Sequence, residues 1–515
     1  MNRLPCIFGT VAAALMIGGN VIAAELVSGL AGDMRAVIPA GSTDDSTLTV
    51  QQHVYEGLVT WKENGEVAPM LAKDLPQVSE DGRSYTFKLR EGVTFHDGTP
   101  LTAEAVAKSW NYLLEPERGW SCRQYFDGSG PVEIASVEAS GELEVTFTLV
   151  EAAPALLTQM ARADCGEGGI MAEAITSTDT PQKPIGTGPY MIESRRSNQD
   201  IVLTRFEDYS PREEPADGYA GKKEALLDKI TFLIIPDPAA NYSALRAGEI
   251  DVWPAIALSY AEELDGLDSI SVDSVNIPSI STFAFQTSKG PLTDPALRKA
   301  VNRALDRKGM VDAIAMGYAT PSASVIPVSS QFFDEAGSEA LSYDPQEVAA
   351  LLEAADYDGT EIVITTNKNY SVMYETGVMA QAYLEAAGIR SRLEVIDFAT
   401  QLPNYYSGDY QMMTWNYAPT LDPALILDRV TGPKATTASK IWDNPQAREL
   451  VDRLIAAPIG ERQAIYDEIQ TLYAEDAPML VWASSQATSA YSDKVQGYEV
   501  WAGRKPRYWG VTVEE

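Results

Sequence analysis

Two histidines, His53 and His96, are all that a chain of 515 residues offers for proton transfer near neutrality, the range in which imidazole is the natural shuttle. The sequence contains no HExxH, no CxxC, no GxSxG and no GxxxxGK followed by Ser or Thr. Zinc hydrolysis, elbow-serine acyl transfer and nucleotide hydrolysis therefore lack their parts. His96 lies in FHDG, residues 95–98, between an expected strand and an expected helix, where a hydrogen-bonded structural role is the simpler reading; His53 is read the same way. Paired carboxylates can hydrolyse glycosides without histidine, but 73 acidic residues make pairs by chance and none stands apart. The aromatic set is more telling, because 9 Trp and 24 Tyr outnumber 12 Phe. Rings with a polar tip suit a wet ligand cleft, while any single one is more simply explained by core packing. No metal and no cofactor is expected.

The charge balance narrows the partners. Asp and Glu number 73 against 39 Lys and Arg, a net charge of −34, and such a surface repels phosphate backbones and anionic lipid. Residues 1–24 carry Arg3, an apolar run over 6–22 broken by glycines, and a small-residue end at Ala23 and Ala24. This is the pattern of a secretory signal cleaved after Ala23 or Ala24, and it places the mature chain, 25–515, outside the cytoplasm. No later window offers the roughly 18 uninterrupted apolar residues of a membrane span. Cys6 leaves with the signal and opens the apolar run instead of following it, so it is no lipid-anchor site. Cys122 and Cys165 remain, and in an oxidising compartment they are expected to form a disulfide.

The elements that must position any site read as mixed α/β in more than one domain. Alternation over 85–90 (YTFKLR) and 143–149 (LEVTFTL) predicts half-buried strands. Thr102 is placed to cap a helix over 103–114. Asp294 and Pro295 open a helix predicted to run to 307, with Leu297, Val301 and Leu305 on one face. Residues 361–366 (EIVITT), a helical run over 372–387 and 392–398 (RLEVIDF) form a strand, helix, strand unit suited to a parallel pair. Further helices are predicted from Asn444–Pro445 and over 460–474.

Several stretches carry a family resemblance that runs almost end to end: VYEGL (54–58), GEVAPML (65–71), SEDGRSYTFKLREGVTFHDGTPLTAEAV (79–106), PIGTGPY (184–190), DKITFLIIPDPAANYSALRAGEIDVW (228–253), GPLTDPALRKAVNRALDR (290–307), YDP (343–345) and WASSQATSAYSDKVQGYEVW (482–501). They resemble family 5 of the bacterial extracellular solute-binding proteins, the periplasmic dipeptide, oligopeptide and nickel-chelate binding proteins of ABC importers. The resemblance implies an α/β, two-lobed periplasmic binding protein fold with mixed sheets, a hinge between the lobes and an extra inserted domain. Lobe I is then expected in pieces, 25–52, 182–280 and 484–515. The inserted domain takes 53–181, including both remaining cysteines, and lobe II takes 281–483. The implied role is that of a monomeric periplasmic carrier that traps a peptide between its lobes and delivers it to a membrane ABC permease, with no catalysis and no nucleic-acid partner. Contacts from both lobes favour closure by their differential affinity. The same role for an opine or another small amine- or carboxylate-bearing solute is the alternative within binding, and a secreted hydrolase the alternative outside it.

In peptide-binding members of the family a tryptophan-bearing strand precedes an aspartate that meets the peptide amino terminus, in a pattern like WxxDxxDP. Residues 413–423 read MTWNYAPTLDP, with Ala418 where the first aspartate stands. A buried ammonium without a carboxylate is costly, so Asp422 or another acid takes that place, or the ligand lacks the amine. The expected ligand-binding residues are Trp415 for stacking, Asn416 for hydrogen bonds, Tyr417 beside them, and Asp422 for a cation. Asp422 before Pro423 equally suits the start of a turn or a helix cap. No histidine lies near this stretch, which argues against direct metal ligation.

Overall fold

A computed structural model describes residues 24–417, 420 and 422–514; residues 1–23 of the expected signal, with Cys6, lie outside the described residues, as does Ala418. Local signals set the elements. Thr102 accepts the amide of Ala105 at 3.2 Å and starts the helix Ala103–Leu114. Its Trp110 is fully buried, 5.2 Å edge-on from both Phe126 and Phe147. Beneath that helix lies a four-stranded antiparallel sheet in the order Gln77–Val78, Ser84–Lys88, Glu144–Leu149, Ile134–Ala139. Cys122 and Cys165, with Cα atoms 5.5 Å apart, form a disulfide next to it.

An 11-stranded mixed sheet runs through the rest of the molecule. At one end Glu25–Leu30 pairs in parallel with Lys229–Ile234, and the antiparallel strands Asp200–Arg205 and Tyr190–Arg196 follow. At the other end Ile362–Thr366 pairs in parallel with Ser391–Val395, from Ile362 opposite Ser391 to Thr366 opposite Val395, and with Met412–Asn416. The helix Ser371–Ala386 connects the first two of these strands, as the parallel geometry requires. The last strand stops at Val395, short of the predicted 398, because Asp397 caps a new helix, Phe398–Ser407, by accepting the amide of Thr400. The helix predicted over 294–307 is likewise two: Pro295–Ala304 ends, Asp306 accepts the amide of Gly309, and Arg307–Ile314 begins.

The two ends of the sheet are joined by a pair of long antiparallel strands, Ile270–Phe285 and Met479–Ser492. One large core holds residues from Leu26 to Phe232 together with Val495 to Val511. Two further cores, built from residues between 280 and 483, pack around the other half of the sheet. The chain thus makes two bodies, and they touch: Ile455 packs against the cores of both, and Gln331 donates to the Asn64 carbonyl at 3.0 Å.

Both histidines are built into this framework. His53 Nδ1 faces the Thr49 carbonyl at 2.8 Å, its Nε2 accepts the Tyr508 amide at 3.2 Å, and burial pushes its pKa down to about 3. His96 Nε2 lies 2.9 Å from the Gly188 carbonyl, and burial takes it down to about 4. Neither ring is poised for proton transfer at neutral pH.

Candidate functional site

A cavity of about 400 Å³ opens where the two bodies face each other, within the roughly 300–1,000 Å³ of small-molecule sites. Trp61, Leu48 and Tyr219 give it apolar and aromatic walls from the first body, and Leu425 and Thr420 enter from the second. Pro278, on one of the joining strands, completes the wall.

Three polar segments converge on it. The first is the start of the helix Asp45–Gln51, where Asp44 is spent on structure: it accepts the Thr47 amide at 2.9 Å and the hydroxyls of Ser42 and Thr47 at 2.6 and 2.7 Å. Asp45 is free of that duty and is ion-paired with Arg504. Burial pushes the Asp45 carboxyl up, but the charges of Arg504 and Lys505 outweigh it and hold it below the usual carboxylate range. The second segment is Arg162–Asp164, where the guanidinium grips its neighbour's carboxylate through Nε at 3.0 Å and NH2 at 2.6 Å, and lies 4.2 Å from the Tyr125 ring centre.

The third segment is the C-terminal loop around residues 501–507. Trp501, 1% exposed, anchors it: its indole N–H donates to the Lys505 carbonyl at 2.7 Å, its ring meets Tyr219 edge-on at 4.3 Å, and the Arg507 guanidinium covers it at 4.2 Å. Gln52 Nε2 donates to the Pro506 carbonyl, and Arg507 to that of Gly218. So held, Arg504 adopts φ +70°, a left-handed conformation that costs a non-glycine residue about 1–3 kcal/mol and is typical of ligand clamps. Lys505 follows. A second cavity of about 300 Å³, with Trp253, Ile256 and Asn241 in its wall, lies beyond and shares Asp45, Arg504 and Lys505 with the first.

Under the loop sits Glu167, 8% exposed and also close to Lys505. Burial pushes its carboxyl up to about 7, with Lys223 the strongest opposing influence. Its folded pKa therefore stands above the unfolded value of 4.5, and the ionised form is the one the fold disfavours. The resulting penalty is absent below pH 4.5, builds as pH rises, and is complete above about 7. Glu167→Gln should consequently leave stability almost unchanged at pH 4.5 and raise it by about 3 kcal/mol at pH 8. Thermal unfolding at the two pH values checks this.

Of the residues singled out from the sequence, none lines the two larger chambers, but Asp422 borders a small neighbouring cavity that shares Pro278 and Ala502 with the first. Trp415, at 9% exposure, is stacked face to face on Tyr405, with ring centres 4.0 Å apart and planes 6° apart. Tyr417 is buried, with its hydroxyl 3.2 Å from that of Tyr405. Asn416 is exposed at the end of its strand. None of these three lines either chamber. Asp422, expected to meet a ligand cation, instead has an internal one: Oδ2 accepts from Arg462 NH1 at 2.8 Å and Oδ1 from the Ala424 amide at 2.9 Å, with both side chains under a tenth exposed. The physical reason is Arg462, which would be buried without a counter-charge if Asp422 pointed elsewhere. Sequence reasoning missed the 501–507 loop, although GRKPR at 503–507 is a dense basic run in a strongly acidic chain and was the signal that marked it.

The model of bacterial extracellular solute-binding proteins, family 5 Middle, matches residues 66–437. The chain belongs to this family. Similar proteins include the glutathione-binding protein GsiB of Pectobacterium atrosepticum, 25% identical over 94% of this chain and 95% of the relative. The dipeptide-binding protein of Escherichia coli is also 25% identical, over 97% of each chain. The structure of HbpA2 from Haemophilus parasuis superposes with a TM-score of 0.82 at 22% identity, over 95% of this chain and 100% of that one. The fold is therefore the two-lobed periplasmic binding protein fold, and the cavity lies between the lobes. This family-5 protein is the solute-binding component of an ABC importer, from a family of binding proteins and not of enzymes. Among the described residues no helix is long and apolar enough to cross a membrane, and no group of three metal-ligating side chains occurs.

Proposed function

We propose that the chain is exported with loss of residues 1–24, works in the periplasm as a monomer, and captures a short peptide between its lobes for delivery to a membrane permease. The observation that carries this reading is the bipolar cavity: Asp45 and the cations Arg504 and Lys505 sit among the apolar walls of Trp61, Tyr219, Leu48 and Leu425. Such a site suits a solute with a carboxylate and apolar side chains, as a short peptide has, and the dipeptide- and glutathione-binding relatives are in keeping with it. In this reading lobe I comprises 25–52, 182–280 and 484–515, the inserted domain 53–181 and lobe II 281–483, and each lobe contributes to the cavity wall.

One observation favours a second reading. Asp422 is committed to Arg462, so lobe II offers no carboxylate there for a free ligand amine, which suits an opine or another carboxylate-bearing solute. Native mass spectrometry of gently purified protein separates the two by the mass retained. A small peptide at one per chain is the expected result, and peptides at 100 times their Kd should stabilise the fold by about 2.7 kcal/mol. Conversion of an offered peptide or glycoside into product would overturn both readings.

A further inference from the structure

One cation in the cleft is left over. Asp45 is taken by Arg504 and Asp164 by Arg162, while Asp44 is satisfied by the Ser42 and Thr47 hydroxyls and the Thr47 amide. The ammonium of Lys505 makes no hydrogen bond and no ion pair among the described residues. Yet its side chain borders both chambers, of about 400 and 300 Å³, and the small cavity above Glu167. Its backbone is fixed rather than loose, since the Lys505 carbonyl takes the Trp501 indole and the next residue's carbonyl takes Gln52. The residue is half-buried, and a charge partly withdrawn from water gains from a counter-ion; here it is held ready by a rigid, strained loop. Asp45, Asp164 and Glu167 all act on it electrostatically without bonding it, and these acids make the surroundings unsuited to a dianion.

Within the reading of the cleft given above, we infer that Lys505 is the seat of the ligand's carboxylate. The monoanionic group binds at the junction of the two chambers, with the body of the ligand in the larger one between Trp61, Tyr219 and Leu425. Lys505 thereby determines specificity for solutes that carry a free carboxylate. Because Arg504 reaches Asp45 next door, a carboxylate at Lys505 completes an alternating row of charges without breaking an existing pair.

The test compares wild type, Lys505→Met and Lys505→Arg as full mature chains, by native mass spectrometry and by titration with alanyl-phenylalanine and its C-terminal amide. Lys505→Met should keep the wild-type fold without ligand, since it removes no hydrogen bond and no ion pair, and the relief of burying the charge offsets the lost attraction of Asp45, Asp164 and Glu167. The expected result is a carboxylate-bearing solute retained by wild type and Lys505→Arg and depleted at least tenfold in Lys505→Met. In titration the free acid should bind at least tenfold tighter than the amide to wild type and no tighter to Lys505→Met. A retained carboxylate that is not a peptide, lost on Lys505→Met, would support the assignment while overturning the peptide reading. A peptide held equally by wild type and Lys505→Met would overturn the assignment and leave the peptide reading standing. A retained solute with no anionic group, or equal binding of acid and amide by wild type, also overturns the assignment.

Discussion

Asp422→Ala is expected to destabilise the protein by about 3–5 kcal/mol, the usual consequence of leaving one partner of a buried ion pair alone. Arg462 is 8% exposed; its Nε donates to the Ala457 carbonyl at 2.9 Å and its NH1 to Asp422, so removing the carboxylate strands a buried guanidinium. The Ala424 amide at the start of the helix Ala424–Val430 loses its acceptor in the same step. Urea unfolding of wild type, Asp422→Ala and the double variant Asp422→Ala with Arg462→Met measures the effect. The double variant should recover most of the loss, because it removes the orphaned charge. Ligand affinity of the folded protein should stay within a few-fold of wild type. If Asp422 were the partner of a ligand ammonium, the pattern would be reversed: a large fall in affinity and little change in stability.

Trp415→Ala should also act on folding, by about 3–5 kcal/mol, as large-to-small changes of buried aromatic residues do. The ring lies flat on Tyr405, which in turn shares a hydroxyl contact with Tyr417, and all three belong to one core. Truncation opens a void beside the Tyr405 ring, whose next aromatic neighbours, Tyr406 and Tyr410, lie 5.5 and 6.4 Å away. Calorimetric titration and thermal unfolding of the same variant separate the two effects. Stability should fall sharply, while affinity measured well below the unfolding transition should change less than tenfold. Near-complete loss of binding with an unchanged midpoint would show that the ring serves the ligand directly.

Much of the fold was legible because its signals are local. Thr102, Asp294 and Asn444 each accept a backbone amide two or three residues on, as their positions before apolar periodic runs suggest. The strand, helix, strand unit was visible because a β-branched run, a long helix and a second alternating run follow in order. What failed to show was local conflict. Leu305 continues the apolar face of its helix, yet the chain leaves the helix there, because Asp306 restarts it and Arg307 must reach the Val481 carbonyl and Asn302. The strand Ile270–Phe285 has no alternation over its second half, since nine successive residues from Ile277 are buried or nearly so against cores on both faces. Neither periodicity nor length marks such a strand.

The site was hidden for a different reason. Its polar groups come from segments hundreds of positions apart, Asp45 and Arg504 being 459 residues distant in sequence. The sequence displays a basic run, but not which of its charges is cancelled. That Lys505 is the one left over depends on Arg504 turning to Asp45 and Arg162 to Asp164. The motif-like stretch 413–423 drew the eye because it resembles a known pattern, whereas the structure gives its aromatic rings and its aspartate internal partners.

The register between Ile270–Phe285 and Met479–Ser492 runs unbroken from Ile270 opposite Ser492 to Asn276 opposite Gln486, then slips before resuming at Ile280 opposite Ser484. Residues 277–279 therefore have no cross-strand counterpart, and Pro278 among them has no N–H to offer and touches the cavity. A continuous sheet resists shear but yields where its ladder is interrupted. The ladder slips a second time between Ser281 and Thr282, so two interruptions lie within a few residues of each other between the two halves of the sheet, and Pro278 of the cavity wall stands in the first of them.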